Sequence, residues 1–258
     1  EIPLRLVGSE MCIRDSMKRS RKISIGTIVL FVVCSLIYYR NDLAVLIGNK
    51  TNSIKVVNVN DNTSLENSNI PDYSGNSYII INNNKPNFSD NDMSLTGEVY
   101  SELDSLGRCG VAFARVGKDT MPTEERGSIG MIKPSGWHTI KYDIVNGKYL
   151  YNRCHLVGYQ LTGQNANPKN LITCTRYMNT VGMLEFENKV ASYVKKTNNH
   201  VLYRVTPIFR NDNLLATGVQ IEAESIEDLG KGISFNVFVY NVQQGIEIDY
   251  KTGDSKLK

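Results

Sequence analysis

A histidine, His155, stands two residues after an arginine, Arg153, at the end of a segment in which apolar and polar residues alternate. A short loop, a second apolar segment and a predicted helix follow, and they carry Asn170, Asn179 and Glu187. An unperturbed imidazole has a pKa of about 6.5, so it can accept a proton from water at neutral pH. Amide and carboxylate oxygens suit a hard divalent cation. Groups of these types could act together on one phosphodiester, so the pattern indicates hydrolysis of nucleic acid.

Arg153 and His155 each have an alternative interpretation. In an extended chain, residues two apart point to the same face, so the Arg153 guanidinium could hold a phosphate oxygen beside the His155 ring. The alternatives are a surface salt bridge for the arginine and a structural role for the histidine. Neither of the other histidines, His138 and His200, is followed by a helix that carries Asn and Glu, and for both we favour a structural role.

The segments that must position these groups are predicted strands and one predicted helix. Enrichment in β-branched and aromatic residues is typical of strands, and it occurs in 78–81, 110–116, 149–153, 170–173, 200–209, 218–224 and 233–240. In 201–205 apolar residues dominate both faces, which predicts a central strand. A helix over 181–193 is predicted from an apolar stripe formed by Val181, Leu184, Val190 and Tyr193. The sequence therefore predicts an α+β fold with a mostly antiparallel central sheet.

The N-terminal part of the chain differs from the rest. Residues 1–16 include LVGSEMCIRDS, which resembles an in-frame translation of a sequencing-library adapter, so we expect the native start at Met17, a genuine divergent tail being the alternative. Residues 17–40 join a basic cluster to an uncharged run that would span about 26 Å as a helix, which predicts an uncleaved transmembrane anchor with a cytoplasmic N-terminus. Residues 41–69 are typical of a polar linker, and residues 70–258 of a folded domain.

Charge and cysteine content are less informative. The formal net charge of +3 is modest and comes mainly from the N-terminal basic cluster, so it neither favours nor excludes a nucleic-acid partner. The cysteines of the predicted domain, Cys109, Cys154 and Cys174, lack the paired spacing of a zinc site. We expect a Cys109–Cys154 disulfide and one free thiol, or else three buried thiols.

The segment 151–187 resembles the DNA/RNA non-specific endonuclease family, the ββα-metal or His-Me finger nucleases. The wider range 70–254 is similar to the DNA-entry nucleases of competent Gram-positive bacteria. The matching stretches are RCHLVGYQLTG, NLITCTRYMN, FENKV, HVLYRVTP and FNVFVYNVQQGIEIDYKTG. Where the family has Asp-Arg-Gly-His, this chain has Asn152-Arg153-Cys154-His155, so the acid and the glycine differ. The expected Cys109–Cys154 bridge would then be a substitute brace for the His155 loop.

The resemblance implies a ββα-metal core and roles for particular residues. His155 would be the general base, Arg153 would add positive charge, and Asn179 would be the single protein ligand of Mg²⁺, with Mn²⁺ as a substitute. Magnesium accepts one amide oxygen together with phosphate and several waters, although an asparagine near a helix start is otherwise an N-cap. Glu187 stands about 12 Å further along a regular helix, so we expect it to orient water on the ion, or else to be a solvated residue paired with a lysine.

Asn170 and Arg126 complete the predicted site. In the family, an asparagine at the place of Asn170 supports the catalytic base or the phosphate. Arg126 matches an arginine that the family uses near the phosphate, and a loop arginine paired with Glu124 and Glu125 is the alternative. No small-molecule cofactor is expected.

These features together predict a membrane-anchored extracellular endonuclease that depends on Mg²⁺. We expect it to cleave double- and single-stranded DNA, with RNA as a further candidate substrate, and to leave 5′-phosphates without reading base identity. If the N-terminal segment is cleaved, the domain would be secreted. The alternative is a receptor of the same fold, acting in DNA uptake, that has lost catalysis through the altered signature.

Overall fold

β-Branched and aromatic segments form the strands, as their enrichment predicts. The computed structural model describes residues 56–57 and 70–258. Its strands are β1 Val56–Val57, β2 Tyr78–Ile81, β3 Glu98–Tyr100, β4 Ala112–Val116, β5 Tyr151–His155, β6 Leu171–Thr175, β7 Val201–Ile208, β8 Gly218–Ser225, β9 Ser234–Tyr240, β10 Ile246–Ile248 and β11 Ser255–Leu257. The predicted adapter remnant, anchor and most of the linker lie outside the described residues. Within the part described, no helix has the length and apolar character needed to cross a membrane.

Seven of the described strands form one sheet in the order β1-β2-β9-β8-β7-β4-β3. Its neighbouring strands are antiparallel except for β1 and β2, which run parallel. The predicted, mostly antiparallel sheet is therefore confirmed. β7 lies between β8 and β4, which also confirms the central position predicted for 201–205. The sequence did not predict β3, β10 and β11, because segments of three residues are too short to show a period.

The predicted pair of strands before the helix forms a separate two-stranded sheet. β5 and β6 are antiparallel, with Tyr151 opposite Thr175 and His155 opposite Leu171. Because β6 runs back along β5, the chain leaves this hairpin at the end that is remote from His155. The helix that follows β6 therefore starts at that remote end.

The helical segments among the described residues are α1 Asp90–Met93, α2 Tyr159–Thr162 and α3 Leu184–Thr197, with 3₁₀ turns at Asn82–Asn84 and Pro168–Asn170 and a π-helical segment at Met178–Met183. The π-helical segment leads directly into α3. It approaches the sheet closely at Gly182, where a Cβ atom would lie 2.4 Å from a methyl carbon of Val239. Only glycine fits this contact, so backbone of the π-helical segment packs directly against β9.

The prediction of the buried helix face was wrong at two positions. Val181 and Leu184 are 47% and 39% exposed, whereas the buried side chains of α3 are Phe186, Val190, Ala191 and Val194. The predicted stripe assumed one regular helix from residue 181. A π-helical turn contains more residues than an α-helical turn and therefore changes which side chains face the core.

The main core lies between α3, the hairpin and one face of the large sheet. Tyr203 of β7 is fully buried there, with Ala114 of β4 and Ala223 of β8 directly opposite it in the sheet. The small alanines leave room for the tyrosine ring beneath the helix. Complete burial of one large apolar side chain contributes about 1.5–3 kcal/mol, and for Tyr203 this gain is reduced because its hydroxyl is buried without a hydrogen-bond partner among the described residues.

The predicted Cys109–Cys154 disulfide is wrong, because Cys154 is bonded to Cys174. Cys174 lies on β6 opposite Asn152, which makes it a diagonal neighbour of Cys154, and the two Cα atoms are 5.9 Å apart. Cys109 is a buried free thiol, and its Sγ donates to the carbonyl oxygens of Pro168 and Leu171. Hairpin pairing, which the cysteine spacing does not encode, decides which two cysteines meet.

Candidate active site

His155 is the last residue of β5, and its side chain is buried. Its Nε2 lies 2.7 Å from the carbonyl oxygen of Asn165, and its Nδ1 lies 3.3 Å from Nη2 of Arg126. A carbonyl oxygen can only accept a hydrogen bond, so we assign the ring proton to Nε2. Nδ1 then carries the lone pair and accepts from the arginine. One nitrogen of the ring is therefore held by the backbone, and the other is basic.

Burial lowers the pKa of His155, and the positive charge of Arg126 lowers it further, while the hydrogen bond to the Asn165 carbonyl acts in the opposite direction. The imidazole is consequently neutral at pH 7 and above. A neutral ring with an unprotonated Nδ1 is the form that can take a proton from water once the Arg126 contact is released.

Asn170 holds the turn that follows His155. It is fully buried, its Oδ1 accepts from the N–H of Val157 at 2.8 Å, and its Nδ2 donates to the carbonyl of Val157 at 3.0 Å. Its own carbonyl accepts from the N–H of Leu156 at 2.9 Å. The Asn170 amide therefore replaces backbone pairing just past the end of the hairpin. It fixes the chain on the C-terminal side of the histidine.

The two predicted arginines have different environments. Arg126 is exposed and contacts the His155 ring, and no ion pair joins it to Glu124 or Glu125 in the described structure. Arg153 donates through Nε to the carbonyl of Ile132 and through Nη2 to that of Gly130 at 2.9 Å. Its guanidinium also lies 3.9 Å from the centre of the Trp137 ring.

The Arg153 guanidinium therefore binds the loop around residues 130–137 in place of the expected free position beside the histidine ring. The surface salt bridge considered as its alternative is not formed with any residue that the structure describes. Desolvation lowers the pKa of Arg153, although the group remains a cation at all ordinary pH values.

Glu187 lies in the first turn of α3, against the start of α2. A Cβ atom on Gly158 would be 2.5 Å from its Oε2, so a larger residue at position 158 would displace the carboxylate from its present position. Burial raises the pKa of Glu187 to about 7, while a long contact with Gln160 and the charge of Arg126 oppose this shift. The same arginine thus acts on both His155 and Glu187. The fully buried hydroxyl of Tyr203 has its pKa raised by burial and by the Glu187 charge.

Asn179 lies within the π-helical segment and is partly buried. Its backbone carbonyl accepts from the N–H of Leu184, but its side-chain amide forms no hydrogen bond with any residue in the described ranges. The expected role as an N-cap is therefore not observed. The predicted spacing between Asn179 and Glu187 assumed a regular helix, whereas the chain is π-helical over Met178–Met183.

The donor set suits a hard cation. Residues 70–258 contain no cluster of three His, Cys, Asp or Glu side chains that could enclose a metal ion. What they offer is an amide oxygen at Asn179 without a protein partner and a carboxylate at Glu187. Magnesium binds through few protein oxygens and keeps its waters, whereas zinc in proteins takes three or four ligands from His, Cys, Asp and Glu side chains. The residues present therefore fit Mg²⁺ or Mn²⁺.

Sequence reasoning missed several residues of this site. The carbonyl of Asn165 has no signal in the sequence, because any residue type supplies a backbone oxygen. Gly158 and Gln160 lie in the matching stretch RCHLVGYQLTG, but only their contacts with Glu187 identify what they do. Trp137 was not singled out by the sequence, because its stack with Arg153 joins residues that are 16 apart in the chain.

Comparisons with known proteins show similarity to a family of nucleases. The model of the family described as DNA/RNA non-specific endonuclease matches residues 86–227. The crystal structure of NucA from Streptococcus agalactiae with magnesium ion bound aligns with a TM-score of 0.65 and 27% identity, over 74% of this chain and 91% of that chain. NucA from the same organism with no metal bound aligns with a TM-score of 0.64 and 26% identity, over 75% of this chain and 92% of that chain. The structure of Sda1 nuclease with bound zinc ion aligns with a TM-score of 0.55 and 30% identity, over 64% of this chain and 81% of that chain.

Proposed function

Because this chain belongs to the DNA/RNA non-specific endonuclease family, we propose that it is a Mg²⁺-dependent endonuclease in which His155 is the general base. The observation that carries the proposal is the protonation pattern of this ring. The Asn165 carbonyl holds Nε2, so Nδ1 has the lone pair, and burial keeps the imidazole neutral. The substrate is nucleic acid, as the family match establishes, and DNA is the substrate proposed here.

In the proposed reaction, Nδ1 of His155 takes a proton from the water that attacks phosphorus. The hydrogen bond from Nε2 to the Asn165 carbonyl then stabilises the imidazolium that forms. Arg126, which now donates to Nδ1, turns to a phosphate oxygen when substrate binds and leaves the lone pair to the water. Cleavage of the bond to the 3′ oxygen leaves a 5′-phosphate.

Asn179 would hold the proposed cation through its amide oxygen, and Glu187 would orient a water beside it. When bound, the cation supplies positive charge for the phosphate oxygens and the departing 3′ oxygen. Glu187 supports this assignment because its carboxylate is partly buried, has only a long contact with Gln160, and lies under the influence of Arg126. Mn²⁺ is the expected substitute, since it accepts the same oxygen ligands.

Arg153 and Asn170 are proposed as positioning residues. Arg153 ties the loop at Gly130 and Ile132 to the strand that ends in His155. Asn170 fixes the chain immediately after the histidine through its two bonds to Val157. The contacts of both are with the protein, which is why we assign them to holding the base and the Arg126 loop rather than to contact with the substrate.

We further propose that residues 17–40 anchor the protein in the cell membrane and that the nuclease domain is extracellular. The uncharged run over 23–39 and the basic cluster before it support this placement. Incoming or extracellular DNA is then the expected substrate.

Plasmid nicking by the purified protein tests the proposed function. His155→Ala is expected to lower the nicking rate by roughly 10²- to 10⁴-fold, because a positioned base contributes about that factor, while DNA retention in a gel shift is kept. His138→Ala is the matched control and should nick normally, since its ring binds the carbonyl of Thr252. Imidazole in the buffer should restore activity to His155→Gly.

Two results would contradict the proposal. A His155→Ala variant that nicks at the wild-type rate would exclude the histidine as base. A wild-type protein that retains plasmid without nicking it, under both Mg²⁺ and Mn²⁺, would favour the alternative of a DNA receptor with the altered signature Asn152-Arg153-Cys154-His155.

A further inference from the structure

Arg176 begins the helical run that carries Asn179. Its backbone N–H donates to the carbonyl of Leu150 at 2.7 Å, and its carbonyl accepts from the Thr180 hydroxyl at 2.8 Å, so its backbone is well held. The guanidinium, in contrast, forms no hydrogen bond, ion pair or ring stack with the residues of 70–258, and its Nε is buried without a partner. The side chain as a whole is partly buried.

Other arginines of the described chain show what a satisfied guanidinium looks like here. Arg108 binds Asp104, Arg204 binds Glu222, and Arg153 binds two carbonyls. A charged donor that is removed from water without an acceptor costs free energy. An arginine in this state is suited to a ligand that brings its own acceptor oxygens and a negative charge.

The position of Arg176 relates it to the active site. It precedes Asn179 by three residues in one helical run, so the two backbone positions lie within about 5 Å of each other along the helix axis. The β5–β6 register places the start of this run at the hairpin end remote from His155, about 13 Å along the strand. Arg176 is therefore on the Asn179 side of the site, too far along the hairpin to share a phosphate with the base.

We propose that Arg176 binds a backbone phosphate of the nucleic acid beside the scissile one, on the Asn179 side of the active site. This inference rests on the proposed function, because it assumes that the substrate runs past His155 and Asn179. A guanidinium pairs with phosphate through two parallel hydrogen bonds, and duplex DNA offers one negative charge about every 1.7 Å of its axis. Such a contact positions the strand without reading its sequence.

The salt dependence of DNA binding by the full-length protein tests this contact. A fluorescent duplex oligonucleotide is titrated in the presence of a chelator, so that it is not cut, at salt concentrations between about 50 and 200 mM. Loss of one phosphate contact should make the slope of log K against log salt shallower by about 0.9 in Arg176→Gln. With Mg²⁺, KM for nicking should rise roughly tenfold while kcat changes little, because the scissile phosphate keeps its own contacts.

Two further variants separate a contact from a general charge effect. Arg115→Gln makes the same chemical change on β4, where the neighbouring Ala114 and Val116 face the core, so Arg115 lies on the other face of the sheet. It should keep the wild-type slope. Arg176→Lys retains a positive charge and should keep most of the slope. The melting temperature of Arg176→Gln should equal or exceed that of wild type, because no protein partner is lost.

An unchanged slope and KM in Arg176→Gln would overturn the inference, and so would an equal loss of slope in Arg115→Gln. A lower melting temperature in Arg176→Gln with a wild-type slope would likewise overturn it, since the residue would then be structural. These failures are distinct from failure of the proposed function, in which the wild-type protein itself would not nick plasmid.

Discussion

Burial acts on the two titratable groups of the site in opposite directions. It lowers the pKa of His155 and raises that of Glu187 to about 7, because the charged form of each is poorly solvated. The exposed Arg126 lowers both values and so favours the neutral base and the ionised acid. A neutral base and an ionised carboxylate, both under the influence of Arg126, are the combination that the proposed reaction requires.

The raised pKa of Glu187 predicts a pH-dependent cost in stability. The folded chain binds this proton more tightly than the unfolded chain, so stability is lost as the pH rises from about 4.5 to about 7 and stays lost above that. Glu187→Gln should therefore raise the melting temperature relative to wild type more at pH 8 than at pH 5, while nicking falls. The melts are run with a chelator, because a bound cation would favour the ionised carboxylate.

Glu185→Gln is the control for this measurement. Glu185 is on the same turn but is exposed and paired with Lys189 on the helix surface. The melting temperature of Glu185→Gln should not rise above that of wild type at pH 8. If the difference in melting temperature between Glu187→Gln and wild type is the same at pH 5 and pH 8, ionisation of the Glu187 carboxylate does not lower the stability of the folded chain.

Among the elements, the β5–β6 hairpin is the one that sets the position of the base. Backbone pairing, the Asn170 amide and the Cys154–Cys174 disulfide all hold it, and the disulfide involves the residue immediately before His155. At the position where the family has glycine, this chain has Cys154, which links the two strands covalently through Cys174. The link replaces the predicted brace to Cys109 with one inside the hairpin itself.

Removal of this disulfide should destabilise the fold. Cys154→Ala/Cys174→Ala is expected to lower the free energy of unfolding by about 3 kcal/mol, the value of the chain-entropy model for a loop of this size. Denaturant unfolding measures it. Reductant should lower the melting temperature of wild type and of Cys109→Ala alike and leave the double variant unchanged. A wild-type melting temperature that is insensitive to reductant would show that the disulfide does not stabilise the chain.

For the molecule as a whole, the described strands and helices belong to one compact unit, residues 52–258. β1, within the predicted linker, pairs with β2 and so extends the sheet beyond the predicted domain start at residue 70. The site residues all lie inside this unit. Catalysis is therefore expected to be independent of the N-terminal part.

A chain shortened to residues 52–258 tests that division. It should nick plasmid at the rate of the full-length protein, because all groups of the candidate site are retained. When each form is expressed in cells, the full-length chain should sediment with membranes and the shortened chain should not, as the proposed anchor requires. Equal sedimentation of the two forms would contradict the anchor, and loss of nicking would contradict the independence of the domain.

The sequence by itself determined the longer strands of the central sheet, though not β1 and β3, together with the general location of the helix and the residue types of the site. Alternation and β-branched content are local properties, and His155, Asn170, Asn179 and Glu187 keep the order of a family motif. Only the tertiary structure decided the Cys154–Cys174 pairing, the π-helical turn at Asn179, the carbonyl partners of Arg153 and the unpaired guanidinium of Arg176. Each of these depends on which distant segments pack together and how deeply a group is buried, and no local pattern contains that information.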